Sequence, residues 1–275
     1  ISGEGKTIYF KKNNIFQNKL DQKIILNNIQ EIIKTGDSKL IGIRDLFLED
    51  KKIYISLLSK NKKGFTINAY SADLNFEKLN FELFFRTNEY WPTYNVFSGG
   101  RFSKYKNNKI LFSIGFSNVK KVAQQMESLL GKIISIDKTT SEYEIISIGH
   151  RNPQGLFYIK ASDIIINTEH GPKGGDEINI NFQTGKKIHN FGWDISSYGT
   201  EYDGTDPYKK SHKEYGFIEP FKYYTPSIGI SQLFYMPENL NQDNQKYLFV
   251  TSLRAGSIYV IEINAEKNEI IVGAK

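Results

Sequence analysis

Short runs of strand-forming residues recur along the whole chain: "KTIYF", "KKIYISLLS", "FTINAYSADL", "NKILFSIGF", "GKIISID", "YEIISIG", "DIIINT", "DEININF", "YLFVTSL" and "GSIYVIEIN". Each is rich in Ile, Tyr, Phe or Val and is bounded by Asn, Gly, Lys or Asp, the pattern of a strand closed by turn residues. Against them stands one helical stretch, "VKKVAQQMESLL" at 119–130, and an ambiguous one, "QKIILNNIQEII" at 22–33. Neither is long enough to supply the helical crossovers of a parallel sheet. The expected fold class is therefore all-β, and strand pairs that keep recurring favour a propeller over a sandwich.

A propeller blade takes about 40–45 residues in the well-known repeats. The 275 residues would then hold about six blades, a six-bladed β-propeller with the last blade incomplete. Candidate blade cores are 41–86, 99–147, 153–183 and 226–264, and the N-terminal strands make part of another. Residues 1–275 are expected to form a single domain. Segment 184–225 is rich in Gly, Tyr and Lys and weakly periodic, which predicts a long irregular excursion, and such segments usually carry function.

Lys and Arg number 36 against 30 acids, a net charge of +6. The surplus is scattered in short Lys pairs and forms no stripe on a helix, so a solvated surface is favoured over a nucleic-acid face. There is no cysteine, which excludes disulfides and thiolate metal sites. No apolar stretch approaches the roughly 18 residues needed to span a bilayer. The chain starts at Ile1 rather than Met; a removed export signal or a shortened sequence would each produce this, and the residues do not choose between them.

The densest chemistry lies in "GHRNPQGLFYIKASDIIINTEHGPKGGDEIN", residues 149–179. Arg151, Asn152, Gln154, Glu169, His170, Asp176 and Glu177 flank one apolar run, more functional groups than two turns require. Structural readings stand beside functional ones. Arg151 could cap strands or pair with Glu169 or Asp176; Asp176 and Glu177 could simply close the turn. His189 and His212 are expected at the surface.

"GHRNPQGL", then "EHGPKGGDEIN", then "FGW", resembles the glucose/sorbosone dehydrogenase family of soluble quinoprotein sugar dehydrogenases. The likeness runs from about Gly42 to Ile263 and includes "GGRF…KILFSIGF", "LLGKIISID" and "SLRAGSIYVIEI". It implies a six-bladed propeller holding pyrroloquinoline quinone (PQQ) and Ca²⁺, acting on an aldose or alcohol, in the periplasm or secreted. It further implies that Arg151 and Asn152 contact the cofactor and serve catalysis, and that Arg254 is a basic cofactor contact. The carbonyls of Gly171 and Pro172 would bind calcium, the hard oxygen ligands that ion prefers. His170 is then a structural residue of its loop.

Departures accompany the likeness. Where the family carries its general-base histidine, "FSGGR" places Phe97, and a phenyl ring accepts no proton. Leu40 stands where the family has Gln, and the Arg pair of the last blade lies beyond Lys275 or is missing, so the ring is expected to close unusually. Loss of a general base typically costs about 10²–10⁴-fold in rate; Tyr94 and His170 are the substitutes at hand. Three readings follow: a divergent PQQ- and calcium-dependent sugar dehydrogenase, a silent propeller binding a sugar or quinone-like ligand, and a calcium-dependent lactonase-like hydrolase. The electron acceptor is not legible.

Overall fold

The computed structural model describes residues 7–10, 22–93, 98–116, 119, 121–182, 184, 186–236, 246–254, 256–264 and 269–271. The chain divides into two compact units, 1–94 and 95–275.

In the first unit, β1 (Thr7–Phe10), β2 (Gln22–Asn27), α1 (Ile29–Thr35), β3 (Lys39–Glu49), β4 (Lys52–Asn61), β5 (Gly64–Asp73), β6 (Lys78–Leu79) and β7 (Glu82–Arg86) follow one another. They make a three-stranded sheet, β1-β2-β6, and an antiparallel four-stranded sheet, β3-β4-β5-β7. The ambiguous stretch 22–33 resolves into both readings: "QKIILN" pairs as β2, and the chain then turns into α1. Ile29 and Ile33 of α1 share a buried cluster with Ile53, Ile55 and Leu57 of β4 and Ala72 of β5.

The second unit contains β8 (Gly99–Lys104), β9 (Lys109–Ile114), β10 (Lys132–Asp137), β11 (Tyr143–Ile148), β12 (Pro153–Ile159), β13 (Ile164–Glu169), β14 (Asp176–Phe182), β15 (His189–Asn190), β16 (Lys222–Tyr224), β17 (Ile230–Tyr235), β18 (Lys246–Ser252), β19 (Ser257–Asn264) and β20 (Glu269–Ile271). Three sheets result, ordered β15-β11-β10-β9-β8, β12-β13-β14-β16 and β17-β18-β19-β20. Leu111, Ile133, Leu156 and Ile165 pack the first of these on the second. Ile166, Ile178, Leu233 and Val250 pack the second on the third. β12 lies beside both β8 and β17, so the first strands of three successive sheets are neighbours, as adjacent propeller blades require.

The candidate blade cores read from sequence coincide with these sheets, and 184–225 is largely irregular. Two short strands inside it, β15 and β16, extend the sheets before and after it. The helix expected over 119–130 is a correction: among the described residues the chain there makes only one 3-10 turn, Val122–Gln124. Its carbonyls are taken by tertiary partners. The fully buried Lys132 donates from Nζ to the carbonyls of Val122 (3.2 Å), Ala123 (3.0 Å) and Leu130 (2.8 Å). Gly149 N–H also donates to Ala123 O, at 3.0 Å. Tertiary hydrogen bonds override the helix propensity of Lys, Ala, Gln, Met and Leu here, since propensity is a weak prior.

Ile166 is 1% exposed between two sheets. Ile166→Ala should cost about 2–5 kcal/mol, read as a lower urea midpoint. Leu46→Ala, at a strand position that is 43% exposed, should stay within about 0.5 kcal/mol.

Candidate functional site

Register brings the polar residues of 149–179 together. Glu169, the last residue of β13, pairs with Pro153 on one side and Glu177 on the other. Asn167 pairs with Asn179 one step further along. Because strand side chains alternate with period two, Asn167, Glu169, Glu177 and Asn179 all stand on one face of the sheet. The turn 149–152 arrives at the same end. Gly149 has φ +76°, and a Cβ there would lie 2.3 Å from Asn190 Oδ1, so only glycine lets the chain enter β12 this way.

Glu169 is the centre of the group. Its Oε1 accepts from His150 Nδ1 (2.9 Å), Asn179 Nδ2 (2.7 Å) and Asn167 Nδ2 (3.2 Å), and its Oε2 from the Arg151 N–H (2.7 Å). His150, wholly buried, meets Ser147 Oγ through Nε2 at 2.8 Å. Burial raises the Glu169 carboxyl, but attraction to His150 and these hydrogen bonds outweigh it and hold the group below its ordinary range. The carboxylate is thus ionised inside the sheet.

Glu177 behaves oppositely. Burial, then repulsion from Glu169, pushes its carboxyl well above the ordinary 4.5, the expected outcome for two buried carboxyls on facing strands. Asn179 Nδ2 donates to Glu177 Oε2 at 3.2 Å, and His212 Nε2 stands 3.6 Å from Oε1. His212 donates from Nδ1 to the Phe191 carbonyl at 3.0 Å. Burial lowers its pKa, so the neutral ring turns its Nε2 lone pair toward Glu177. A cavity of about 10 Å³, bounded by Glu169, Gly171, Glu177, Trp193, Ser196 and His212 among others, is room for about one water.

The hairpin between β13 and β14 carries the candidate metal ligands. Arg151 Nη1 donates to His170 O at 3.0 Å, while the Gly171 and Pro172 carbonyls accept no hydrogen bond among the described residues. A Cβ on Gly171 would fall 2.2 Å from Gly175 O, so the hairpin closes only around glycine. Asp176 Oδ1 accepts the Gly171 N–H (3.2 Å) and Oδ2 the Ile230 N–H (2.9 Å), tying the hairpin to β17. Burial would raise Asp176, yet its contact with His170 and the Ile230 N–H hold it low.

The sequence-derived candidates take these places. The Arg151 side chain is 5% exposed and stacks on Trp193, 5.2 Å from the ring centroid. Asn152 Oδ1 accepts from Gln154 Nε2 (2.9 Å) and Gly99 N–H (3.3 Å). Arg254 is exposed and donates to Ser227 O at 3.2 Å, beside the turn that leads into β17. Phe97 and Tyr94 lie outside the described residues. Leu40 packs against the first unit's apolar cluster.

Two expectations are corrected. His212 is no surface group: it is 1% exposed, because the irregular segment folds back over the β13–β14 face. His189 is half-buried, with Nδ1 2.6 Å from Asn181 Oδ1. His150 was missed altogether as a partner of Glu169. Its only sequence signal is a position next to Arg151, since 19 residues separate it from the carboxylate it meets.

The opposite shifts predict opposite pH responses. A carboxyl raised by the fold, as in Glu177, contributes stability fully below about pH 4.5 and loses it as the pH climbs through the raised value. Glu169, held low, contributes above its ordinary value and loses that as the pH falls. Measured as Tm in EDTA, Glu177→Gln should therefore improve relative to wild type from pH 4 to pH 8. Glu169→Gln should instead worsen relative to wild type as the pH rises to about 4.5 and stay level above it.

The glucose/sorbosone dehydrogenase profile matches residues 13–274. The aldose sugar dehydrogenase YliI of Escherichia coli is 31% identical over 264 residues, spanning 88% of this chain and 69% of that protein. The structure of the soluble aldose sugar dehydrogenase from Escherichia coli in its apo-form superposes with a TM-score of 0.72 at 26% identity, covering 85% of this chain and 72% of that one. The PQQ-bound aldose sugar dehydrogenase of Streptomyces coelicolor, 19% identical, matches with a TM-score of 0.59 over 85% of this chain and 65% of its own, a likeness of fold. With the propeller fold shared and the family profile spanning nearly the whole sequence, the chain belongs to the glucose/sorbosone dehydrogenase family of sugar dehydrogenase-like oxidoreductases.

Proposed function

We propose that the chain is a divergent quinoprotein sugar dehydrogenase, using PQQ and Ca²⁺ to oxidise an aldose or alcohol. One observation carries the reading: among the described residues, the Gly171 and Pro172 carbonyls accept no hydrogen bond, on a hairpin that Asp176 and Arg151 hold in place. Two carbonyl oxygens fit a hard cation. When bound, the quinone would accept hydride from the substrate carbon while calcium polarises it.

The chain's own residues would then divide the work. Gly171 and Pro172 supply metal ligands, and Arg151, Asn152 and Arg254 supply donors to the oxygens of a flat tricarboxylate. The 10 Å³ cavity has room for a water but not for a quinone. The general base is the weak point. Gly99, two residues after Phe97 in the chain, donates to Asn152 Oδ1. Phe97 stands where the family has a proton acceptor, and His170, next to Gly171 in the chain, is the titratable substitute. Phe97 is also what favours the second reading, a silent propeller that binds a sugar or quinone-like ligand without turnover. The single propeller domain, its six blades and a periplasmic or secreted location belong to the same proposal. Among the described residues, no helix is long and apolar enough to cross a membrane.

Calorimetry should show calcium binding that strengthens with PQQ and disappears in Gly171→Ala; binding that survives this substitution would remove the metal assignment. Loaded protein should reduce a dye slowly with an aldose panel. Phe97→His should raise that rate, by about 10²-fold where the rest of the site is complete. A shifted quinone absorbance without dye reduction would favour the silent reading, and brisk wild-type turnover would show that another residue is the base.

A further inference from the structure

The first unit contains a pocket that the dehydrogenase reading does not use. On β4, Ile53, Ile55, Leu57, Ser59 and Asn61 share one face of the sheet. On β5, the same face carries Thr66, Asn68, Tyr70 and Ala72, with Ser59 opposite Thr66 and Leu57 opposite Asn68. Alternation makes this face half apolar and half polar. The apolar half is buried under Ile29 and Ile33 of α1. The polar half borders a pocket of about 380 Å³, closed on its other sides by the end of α1, Arg86 and Tyr90. That volume lies within the range of small-molecule sites.

Its chemistry is specific. Ser59, Thr66 and Asn68 are buried polar residues where a sheet face under a helix would ordinarily be apolar. Thr66 is 3% exposed, and its Oγ1 has no hydrogen-bond partner among the described residues. Asn68 Oδ1 is occupied by the Thr87 N–H at 3.0 Å, which turns its amide donors away from that bond. Arg86 sits opposite Asn68, is exposed and makes no ion pair among the described residues. The pocket-lining residues include Tyr70 and Tyr90 but no carboxylate, and Lys63 stands 5.3 Å over the Tyr90 ring. Neutral donors and acceptors, flat aromatic rings and uncompensated positive charge suit a polyhydroxylated ring that bears a negative group.

We propose that this pocket binds an acidic sugar. The carboxylate is held by Arg86, the hydroxyls by Ser59, Thr66 and Asn68, and the ring lies against Tyr90. The site is independent of the quinone and calcium reading, so either can fail alone.

Titrating the full chain, without added PQQ or calcium, with D-glucuronate and separately with D-glucose tests it. Glucuronate should bind and shift the backbone amide resonances of Ser59, Thr66 and Asn68, with glucose weaker by about tenfold or more, the value of one charge-assisted hydrogen bond. Arg86→Ala should remove that preference and Arg86→Lys restore part of it. Because Arg86 is exposed, neither variant threatens the fold. Absence of glucuronate binding at millimolar concentration, equal affinity for the two sugars, or binding that ignores both Arg86→Ala and Thr66→Val would overturn the proposal.

Discussion

The second unit's polar architecture depends on one buried carboxylate. An ion the size of Glu169 costs several kcal/mol to remove from water, and it persists only because four donors converge on it. Those donors come from the turn before β12, from β13 and from β14. Satisfying the charge therefore fixes three pieces of chain at once. Arg151 is pinned through its backbone, its guanidinium then reaches the His170 carbonyl, and the next two carbonyls accept no hydrogen bond among the described residues. The open pair is a consequence of what has been tied down beside it.

The facing pair Glu169 and Glu177 shows how environment separates two identical groups. The first has His150 and most of the donors and is held below its ordinary range; the second inherits the repulsion and is pushed well above it. His212 completes the balance, because the Phe191 carbonyl fixes its proton on Nδ1. The irregular segment from 184 onward supplies both Phe191 and His212. Its role is to roof the β13–β14 face, which a regular strand could not do.

The two units solve the same problem with different chemistry. In both, the hairpin-proximal ends of adjacent strands are polar while the rest of the same face is apolar: Asn167, Glu169, Glu177 and Asn179 on β13 and β14; Ser59, Asn61, Thr66 and Asn68 on β4 and β5. Core burial holds the strands, and the ends nearest the loops are free to carry function. The second unit invests those ends in ionised groups that brace a loop. The first leaves neutral groups and one cation around open space.

Residue pattern alone located most of the longer strands, the cores of four sheets and the family resemblance, because strand periodicity and motif order are properties of neighbours in sequence. The hairpin "NTEHGPKGGDEIN" could be recognised as a site for the same reason. Hydrogen bonding at a distance decided the rest. Lys132 and Gly149 took the carbonyls that a helix over 119–130 would have used. His150 met Glu169 across the turn, and His212, which looked like a surface group, was buried by a segment with no periodicity to announce its path. Alternation placed Ser59 and Thr66 on one face, but only the cross-strand register and the length of α1 left that end uncovered. Such facts rest on which strand lies opposite which, and that follows from burial summed over the whole sheet rather than from any local run of residues.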